Sequence, residues 1–162
     1  MSNFSDVAEE HLGDVYAFFA YRVGSAADAE DLTQATFERA WRAWGRYDPL
    51  RASARTWLLA IARNLLVDHY RSDATRREQP LEADPAIEAA SADADLGLEP
   101  ALEAALVVLG DREREIIALR FGADLPASEI ATLTGLTLAN VQQILSRSLR
   151  RLRSELDGAA SE

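Results

Sequence analysis

The chain has 162 residues, with 17 basic and 27 acidic side chains and a formal net charge of −10. It contains no cysteine and only two histidines, which excludes disulfide scaffolds, thiolate nucleophiles and cysteine- or histidine-rich metal sites. No apolar stretch approaches the ~20 residues of a membrane span, and the acidic N-terminus is unlike a signal peptide. We therefore expect a soluble cytoplasmic protein without membrane insertion, metal or other cofactor.

Apolar residues recur with helical periodicity along almost the whole chain, and no segment shows the alternation of a strand. In the first part of the chain this pattern predicts helices over about residues 5–22, 26–44 and 53–73. Within the second of these helices, we expect the following residues to lie in the core: Leu32, Phe37, Ala40 and Trp41. Residues 74–98 are rich in proline, alanine, serine and acidic residues, which is typical of a flexible linker.

The segment after this linker also has helical periodicity. Four further helices are predicted over about residues 99–109, 112–121, 126–134 and 138–156. The last two are joined by Thr-Gly-Leu-Thr at 134–137, which is the spacing of a helix-turn-helix. The predicted fold class is therefore all-α. It has two small helical domains, 1–73 and 99–156, joined by the acidic linker 74–98 and followed by a tail, 157–162.

Positive charge is concentrated in two segments, and every basic residue is an arginine. Residues 38–73 carry seven arginines against four acids, a net charge of +3, and residues 137–154 carry four arginines and no acid. A polyanion responds to the local field of a protein more than to its total charge. These two segments are therefore the candidates for contact with nucleic acid.

A helical wheel of the last predicted helix separates two faces. The apolar face holds Leu138, Val141, Leu145, Leu149, Leu152 and Leu156. The opposite face holds Asn140, Gln143, Ile144, Arg147, Arg150 and Arg151. An ordinary bundle helix with a solvated charged face has the same pattern. The absence of any acid between Glu129 and Glu155, next to a helix-turn-helix spacing, favours nucleic-acid binding.

The third predicted helix has a polar arc formed by Asn64, Asp68 and Arg71. An exposed asparagine flanked by Arg63 and Arg71 can hydrogen-bond to base edges while the arginines hold phosphates. A surface ion pair between Asp68 and Arg71 is the alternative. The pattern alone leaves both interpretations open.

Three segments together resemble a group 4, or extracytoplasmic-function (ECF), RNA polymerase sigma factor. They are 28-DAEDLTQATFERAWRAW-44, 56-TWLLAIARNLLVDHYR-71 and 116-IIALRFGADLPASEIATLTGLTLANVQQILSRSLRRLR-153. The resemblance implies a region 2 domain, a linker and a region 4 domain, in that order. It also implies a protein that is not an enzyme. Such a protein binds core RNA polymerase, directs transcription initiation by recognising −35 and −10 promoter elements, and assists DNA melting.

The resemblance further assigns residues to partners. Docking on the β′ clamp coiled coil of the polymerase is implied for Asp28, Asp31, Gln34 and Glu38, and region 4 is expected on the β flap. Contacts to the −10 element are implied for Arg55, Arg63, Asn64, Asp68 and Arg71, whereas Trp57 is expected to pack. Contacts to the −35 element are implied for Asn140, Gln142, Gln143, Ser146, Arg147, Arg150 and Arg151. The acidic linker is expected to follow the positively charged channels of the polymerase, and an anti-sigma factor is expected as a further partner.

The last helix departs from the family pattern at one place. After the valine, family members usually carry basic residues, where this chain has Gln142, Gln143 and Ile144. Glutamine can bind adenine and Ile144 a thymine methyl, so we expect an unusual or weak −35 preference.

The same departure keeps an alternative function open. A sigma-factor mimic, or a degenerate regulator, would bind an anti-sigma factor without binding promoter DNA. Such a protein would not need Asn64 or the arginines of residues 51–71, which are present here. No carboxylate pair, nucleophile–base set or glycine-rich phosphate loop supports an enzyme.

Overall fold

The computed structural model describes residues 3–78 and 96–160, and over these residues the chain is helical, without a strand. We call residues 3–78 lobe 1 and residues 96–160 lobe 2. Lobe 1 contains α1 (Phe4–Arg22), α2 (Ala26–Ala43), a 3-10 turn (Trp44–Arg46) and α3 (Ala54–Glu78). Lobe 2 contains α4 (Pro100–Val108), α5 (Asp111–Ile117), a π-helical turn (Ala118–Gly122), α6 (Ala127–Thr134) and α7 (Leu138–Ala160).

Several of these helices have a short polar side chain as their N-cap. The side chain of Asn3 accepts a hydrogen bond from the backbone N–H of Asp6 at 2.9 Å, which satisfies a donor that the first turn of α1 leaves unpaired. Equivalent bonds begin α2, α3 and α7 at Ser25, Ser53 and Thr137. Helix α4 begins instead with Pro100, whose missing N–H costs nothing at a first helical position.

Two helices continue beyond their predicted ends. α3 extends to Glu78 because neither glycine nor proline interrupts it before Pro80, and α7 extends to Ala160. The predicted linker 74–98 therefore begins with helical residues. Its middle part, 79–95, lies outside the described residues, so its flexibility and its path through the polymerase stay predictions.

The two lobes share a hydrophobic core. Phe18 and Phe19 of α1 are fully buried in one cluster that also contains Leu58 of α3, Leu119 of the π-helical turn and Val141 of α7. A second, smaller cluster lies mainly within lobe 2 and consists of Ala105, Leu106, Leu109, Ile117 and Leu152. Lobe 2 therefore has a small core of its own, and its other buried apolar side chains pack in the cluster shared with α1 and α3.

Hydrogen bonds to backbone carbonyls also join the lobes. The Arg114 Nε donates to the carbonyl oxygen of Tyr21 at 2.7 Å, and an Arg22 guanidinium nitrogen donates to that of Asp111 at 2.9 Å. The hydroxyl of Tyr16 donates to the carbonyl of Leu96 at 3.3 Å, so the last part of the predicted linker is attached to α1.

The core prediction for α2 is right for Leu32 and Ala40, which are buried, and Phe37 is partly buried against the same cluster. It is wrong for Trp41, whose side chain is 67% exposed. The reason is that Trp41 lines an open groove between α1 and α2, together with Leu12, which is itself 52% exposed. None of the described helices is long and apolar enough to cross a membrane.

Candidate polymerase and nucleic-acid interfaces

Helices α6 and α7 form the helix-turn-helix that the spacing predicts. α6 ends at Gly135, whose φ of +76° lies in the left-handed region that favours glycine, and the Gly135 N–H donates to the carbonyl of Ala131 at 3.0 Å. Two residues later, the Thr137 hydroxyl accepts the Asn140 N–H at 3.1 Å and begins α7. The turn therefore positions α7 as the second helix of the motif.

The predicted −35 residues of α7 all lie at the surface. They are Asn140, Gln142, Gln143, Ser146, Arg147, Arg150 and Arg151. Between Glu129 and Glu155 the chain has no acidic residue, so this part of α7 presents arginines and amides without opposing charge. Such a surface has the donors needed for phosphates and for base edges.

The prediction that Ile144 faces the DNA groove is wrong, because this side chain is only 5% exposed and belongs to the shared core. The buried arc of α7 runs through Val141, Ile144, Ser148 and Leu152, at i, i+3, i+7 and i+11. By contrast, three leucines assigned to the apolar face, Leu138, Leu149 and Leu156, are more than a third exposed. The apolar stripe and the polar face are thus both rotated relative to the helical wheel, because α7 packs against α4, α5 and α6.

The structure separates the predicted −10 residues of α3 into two sets. Asn64, Asp68 and Arg71 are exposed and share one face of the helix. Arg55 and Arg63 are engaged within the protein. The Arg55 Nε donates to Asp14 Oδ2 at 3.1 Å, whereas Arg63 pairs with Glu115 and also donates to the carbonyl of Leu133 at 2.9 Å.

An aromatic cluster lies before and at the start of α3. The ring of Tyr47 stacks on Trp44 at 5.2 Å and contacts Trp57 at 4.8 Å, so Trp57 packs as predicted. The Tyr47 hydroxyl donates to the Ala52 carbonyl at 2.9 Å, which closes the loop, and burial together with the charge of Asp48 raises the pKa of Tyr47. A recess of about 370 Å³ opens beside this cluster, and its lining includes the arginines Arg46 and Arg51.

Residues of α1 and α2 form an open groove of about 1060 Å³. Its floor is apolar and includes Leu12, Phe37 and Trp41. Its acidic rim includes Glu9, Glu30 and Glu38. Of the predicted polymerase-binding residues, Gln34 and Glu38 line this groove, and the Gln34 amide donates to Glu38 at 3.3 Å. Asp31 is exposed on the same helix but is not part of the groove lining. Asp28 is at the start of the helix, half exposed, with its carboxylate 3.9 Å from His69.

Two family matches cover most of the described chain. Residues 7–76 match Sigma-70 region 2, and residues 105–154 match Sigma-70, region 4. The ECF RNA polymerase sigma factor RpoE of Cereibacter sphaeroides is 32% identical over 150 residues, which are 91% of this chain and 83% of that protein. The chain belongs to the ECF sigma factors. Because sigma factors are initiation factors rather than enzymes, membership agrees with the prediction that this chain is not an enzyme.

Other relatives of this sigma factor extend the comparison. The ECF RNA polymerase sigma factor BldN of Streptomyces coelicolor is 34% identical over 154 residues, and the matched part is 92% of this chain but 58% of BldN. The sigma factor RpoE of Bartonella quintana, solved in complex with the anti-sigma factor NepR, superposes with a TM-score of 0.77 at 21% identity. That likeness covers 95% of this chain and 96% of the other, and it shows a common fold.

Sequence reasoning missed one pair of residues in this sigma factor, Arg22 and Arg114, which lie between the lobes. Arg22 is 9% exposed, and its Nε is buried without a hydrogen-bond partner among the described residues. Burial lowers the pKa of Arg114, and the nearby charge of Arg22 lowers it further. In the sequence, an isolated arginine near a helix end resembles any surface arginine. The sequence therefore carries no local signal that Arg22 and Arg114 lie between the lobes.

Proposed function

We propose that this sigma factor binds core RNA polymerase, recognises a −35 element with α7 and a −10 element with α3, and assists DNA melting. The observation that carries the proposal is the exposed face of α7, which has arginines and amides, no acid, and a helix-turn-helix that presents it. A recognition helix in this arrangement enters the major groove. The residues 1–73 and 99–156 then act as the polymerase- and promoter-binding domains of regions 2 and 4.

At the −35 element, the chemistry of each side chain determines whether it binds phosphates or base edges. Arg147, Arg150 and Arg151 hold phosphates, since guanidinium groups bind them regardless of sequence. Gln142 and Gln143 bind base edges, with adenine as the preferred partner. Because Ile144 is buried, it makes no contact with a thymine methyl, and specificity depends on the amides alone.

At the −10 element, two neighbouring features of lobe 1 act together. Asn64 on α3 supplies an amide for a base, while Arg71 holds the strand and Asp68 accepts from a base amino group. The recess beside Tyr47 and Trp57 offers aromatic edges and arginines to an unstacked base. Extraction of a base costs a few kcal/mol, which stacking and phosphate contacts of this kind offset.

The acidic groove of lobe 1 is the proposed polymerase-docking surface. Its apolar floor suits the apolar face of a helix, and its glutamate rim suits basic residues around that face. The β′ clamp coiled coil is the proposed occupant, and the β flap is the proposed partner of lobe 2. By likeness to the RpoE–NepR pair, we also propose an anti-sigma factor, and we expect action in the cytoplasm, where the polymerase is.

Run-off transcription tests the proposal. The purified protein is added to the core polymerase of its host on fragmented genomic DNA, with core polymerase alone as the control. We expect discrete new transcripts whose upstream sequences share spaced −35 and −10 elements. A variant with Gln142→Ala and Gln143→Ala serves as the matched comparison, and it should lose preference at −35 while keeping its binding to core.

Two results would contradict the proposal in different ways. Binding to core without any new transcript would show that the α7 face does not recognise a promoter. Failure to bind core, combined with tight binding to an anti-sigma factor, would favour the sigma-factor mimic instead.

A further inference from the structure

Two arginines of the basic segment 38–73, Arg39 and Arg42, take no part in the −10 surface of α3. Both lie on α2, and both side chains are exposed. Within the part of the chain that the structure describes, neither side chain has a hydrogen bond or an ion pair. Arg55 and Arg63 of the same segment are, by contrast, engaged with acidic side chains. Arg39 and Arg42 therefore present free guanidinium groups at the surface of lobe 1.

These two arginines lie on the side of α2 that faces away from the acidic groove. At ~100° per residue, their mean direction is roughly 140° around the helix from that of the groove residues Gln34, Phe37 and Trp41. A partner that fills the groove therefore leaves both guanidinium groups accessible. Since the groove is the proposed polymerase-docking surface, the arginines are available to a different partner.

The arginine side of α2 leads to the recess beside the aromatic cluster. Arg46, at the end of the 3-10 turn that follows α2, is exposed and lines this recess together with Tyr47 and Trp57. Arg39, Arg42 and Arg46 have the spacing i, i+3 and i+7, which keeps them near one side of the helix. They span about 10 Å along the axis, the length of roughly three stacked nucleotides at ~3.4 Å each. A strand with one base in the recess thus has neighbouring phosphates within reach of these arginines.

The nearby acidic side chains do not neutralise this side of α2. Residues 38–52 carry four arginines against two acids, a net charge of +2. Of these acids, Glu38 accepts the amide of Gln34 at 3.3 Å, and Asp48 Oδ1 accepts the backbone N–H of Leu50 at 2.9 Å. Neither forms an ion pair with an arginine of α2 among the described residues. The positive charge is therefore open to an anionic ligand.

Stabilisation of the helix end explains only part of this pattern. Arg42 lies in the last turn of α2, where a cation interacts favourably with the helix dipole. Arg39 lies before that turn, and Arg46 lies beyond the helix, beside the recess. A row of three free arginines that ends at a proposed base-binding recess is better matched by a polyanion than by the dipole alone.

We propose that Arg39 and Arg42 form a phosphate track on α2, which holds the backbone of the single DNA strand whose base occupies the recess beside Arg46. α2 then contacts the polymerase on one side and the melted strand on the other. Contacts between guanidinium groups and phosphates are independent of base sequence, and they weaken as salt rises because binding releases counterions from the DNA. The inference rests on the proposed function, since it requires a melted −10 strand.

The salt dependence of DNA binding by the holoenzyme tests the phosphate track. The probe is a fluorescent fork made from a promoter identified by run-off transcription. It is duplex through the −35 element, and its non-template strand is single-stranded over the −10 element. Each phosphate contact to a single strand contributes ~0.7 to the slope of log affinity against log salt, so Arg39→Ala combined with Arg42→Ala should reduce the slope by about 1.4. Arg39→Lys combined with Arg42→Lys should keep the parent slope, since lysine also neutralises phosphates.

Three controls accompany this measurement. Arg112→Ala removes one exposed arginine of lobe 2 and should leave the slope unchanged. The same duplex without the single-stranded extension should give equal slopes for the parent and the double alanine variant. Binding to core polymerase without DNA should also be equal for these two proteins, because the arginines face away from the groove. Circular dichroism verifies that each variant keeps its helices.

Several results would overturn the phosphate track. An unaltered slope of the double alanine variant on the fork would remove these arginines from the DNA interface. An equal reduction on the duplex alone would place their contact on duplex DNA, and weaker binding to core without DNA would assign them to the polymerase. A lysine variant that behaves like the alanine variant would show altered structure rather than lost charge. A parent holoenzyme that binds no promoter would contradict the proposed function itself, and the track with it.

Discussion

Helices α3 and α7 both carry several arginines and an amide-bearing face, but the protein exposes these faces to different extents. The arginines of α7 are all exposed, and no acidic side chain lies among them. On α3, Arg55 and Arg63 are bound to Asp14 and Glu115, while Arg71 stays open. The same residue type is therefore exposed in one helix and partly engaged in internal contacts in the other.

The difference shows that a segment with an excess of arginines in the sequence does not necessarily have arginines that are free of internal ion pairs. The chain is acidic overall, and two of the acids of lobe 2, Glu115 and Glu129, lie against α3. Those acids are close to α7 in sequence, yet they neutralise a different segment in space. Four changes would sharpen or break the comparison, in order of decreasing expected effect.

The largest effect is expected where α7 is buried. Ile144→Arg would place an unpaired charge in the shared core and should lower the free energy of unfolding by about 3–5 kcal/mol, rather than alter −35 preference. Gln143→Arg, at the adjacent exposed position, should change it by less than ~0.5 kcal/mol. Urea denaturation measures both. Equal stability of the two variants would mean that α7 is rotated differently from this structure.

Lobe 1 has an open groove of about 1060 Å³ with an apolar floor, and Trp41 tests the role of this groove. Exposed aromatic side chains at the centre of a docking surface commonly contribute about 2 kcal/mol, so Trp41→Ala should weaken binding to core polymerase about 30-fold. Its high exposure predicts little loss of stability. Arg42→Ala, the exposed neighbour, is the control in the same fluorescence titration. Unaltered affinity of Trp41→Ala would remove the groove from the polymerase interface.

The open part of α3 is tested by Asn64→Ala. Loss of a base contact of about 1–2 kcal/mol should reduce promoter opening roughly tenfold while binding to core stays unchanged. Permanganate reactivity of unpaired thymines measures opening, and a polymerase-binding titration is run beside it. Ser72→Ala, exposed on the same helix, should affect neither. If Asn64→Ala reduced both quantities equally, Asn64 would not act on DNA.

The smallest effect concerns the turn that presents α7. Gly135 has a positive φ, so Gly135→Ala should lower the free energy of unfolding by about 1 kcal/mol. Gly13 lies inside α1 with no atom near an added Cβ, and Gly13→Ala should instead raise it by about 0.5–1 kcal/mol. Thermal denaturation compares the two. A gain in stability for both variants would contradict the left-handed turn.

Most of the local structure of this protein follows from the sequence by itself. The helices, their polar caps and the turn at 135–137 depend on residues within a few positions of one another, so periodicity and capping chemistry identify them. The all-α class and the acid-free stretch of α7 follow in the same way. Resemblance to the sigma factors added the expected order of two regions, which the family matches confirm.

The exposure of individual side chains was decided by the tertiary structure. Trp41 and Ile144 lie on helices that were predicted correctly, yet one is exposed and the other buried, contrary to their patterns. The partner of Arg63 is 52 residues away, a separation that no local pattern encodes. Burial and ion pairing depend on which distant segments approach a helix, and that approach exists only once the two lobes share a core.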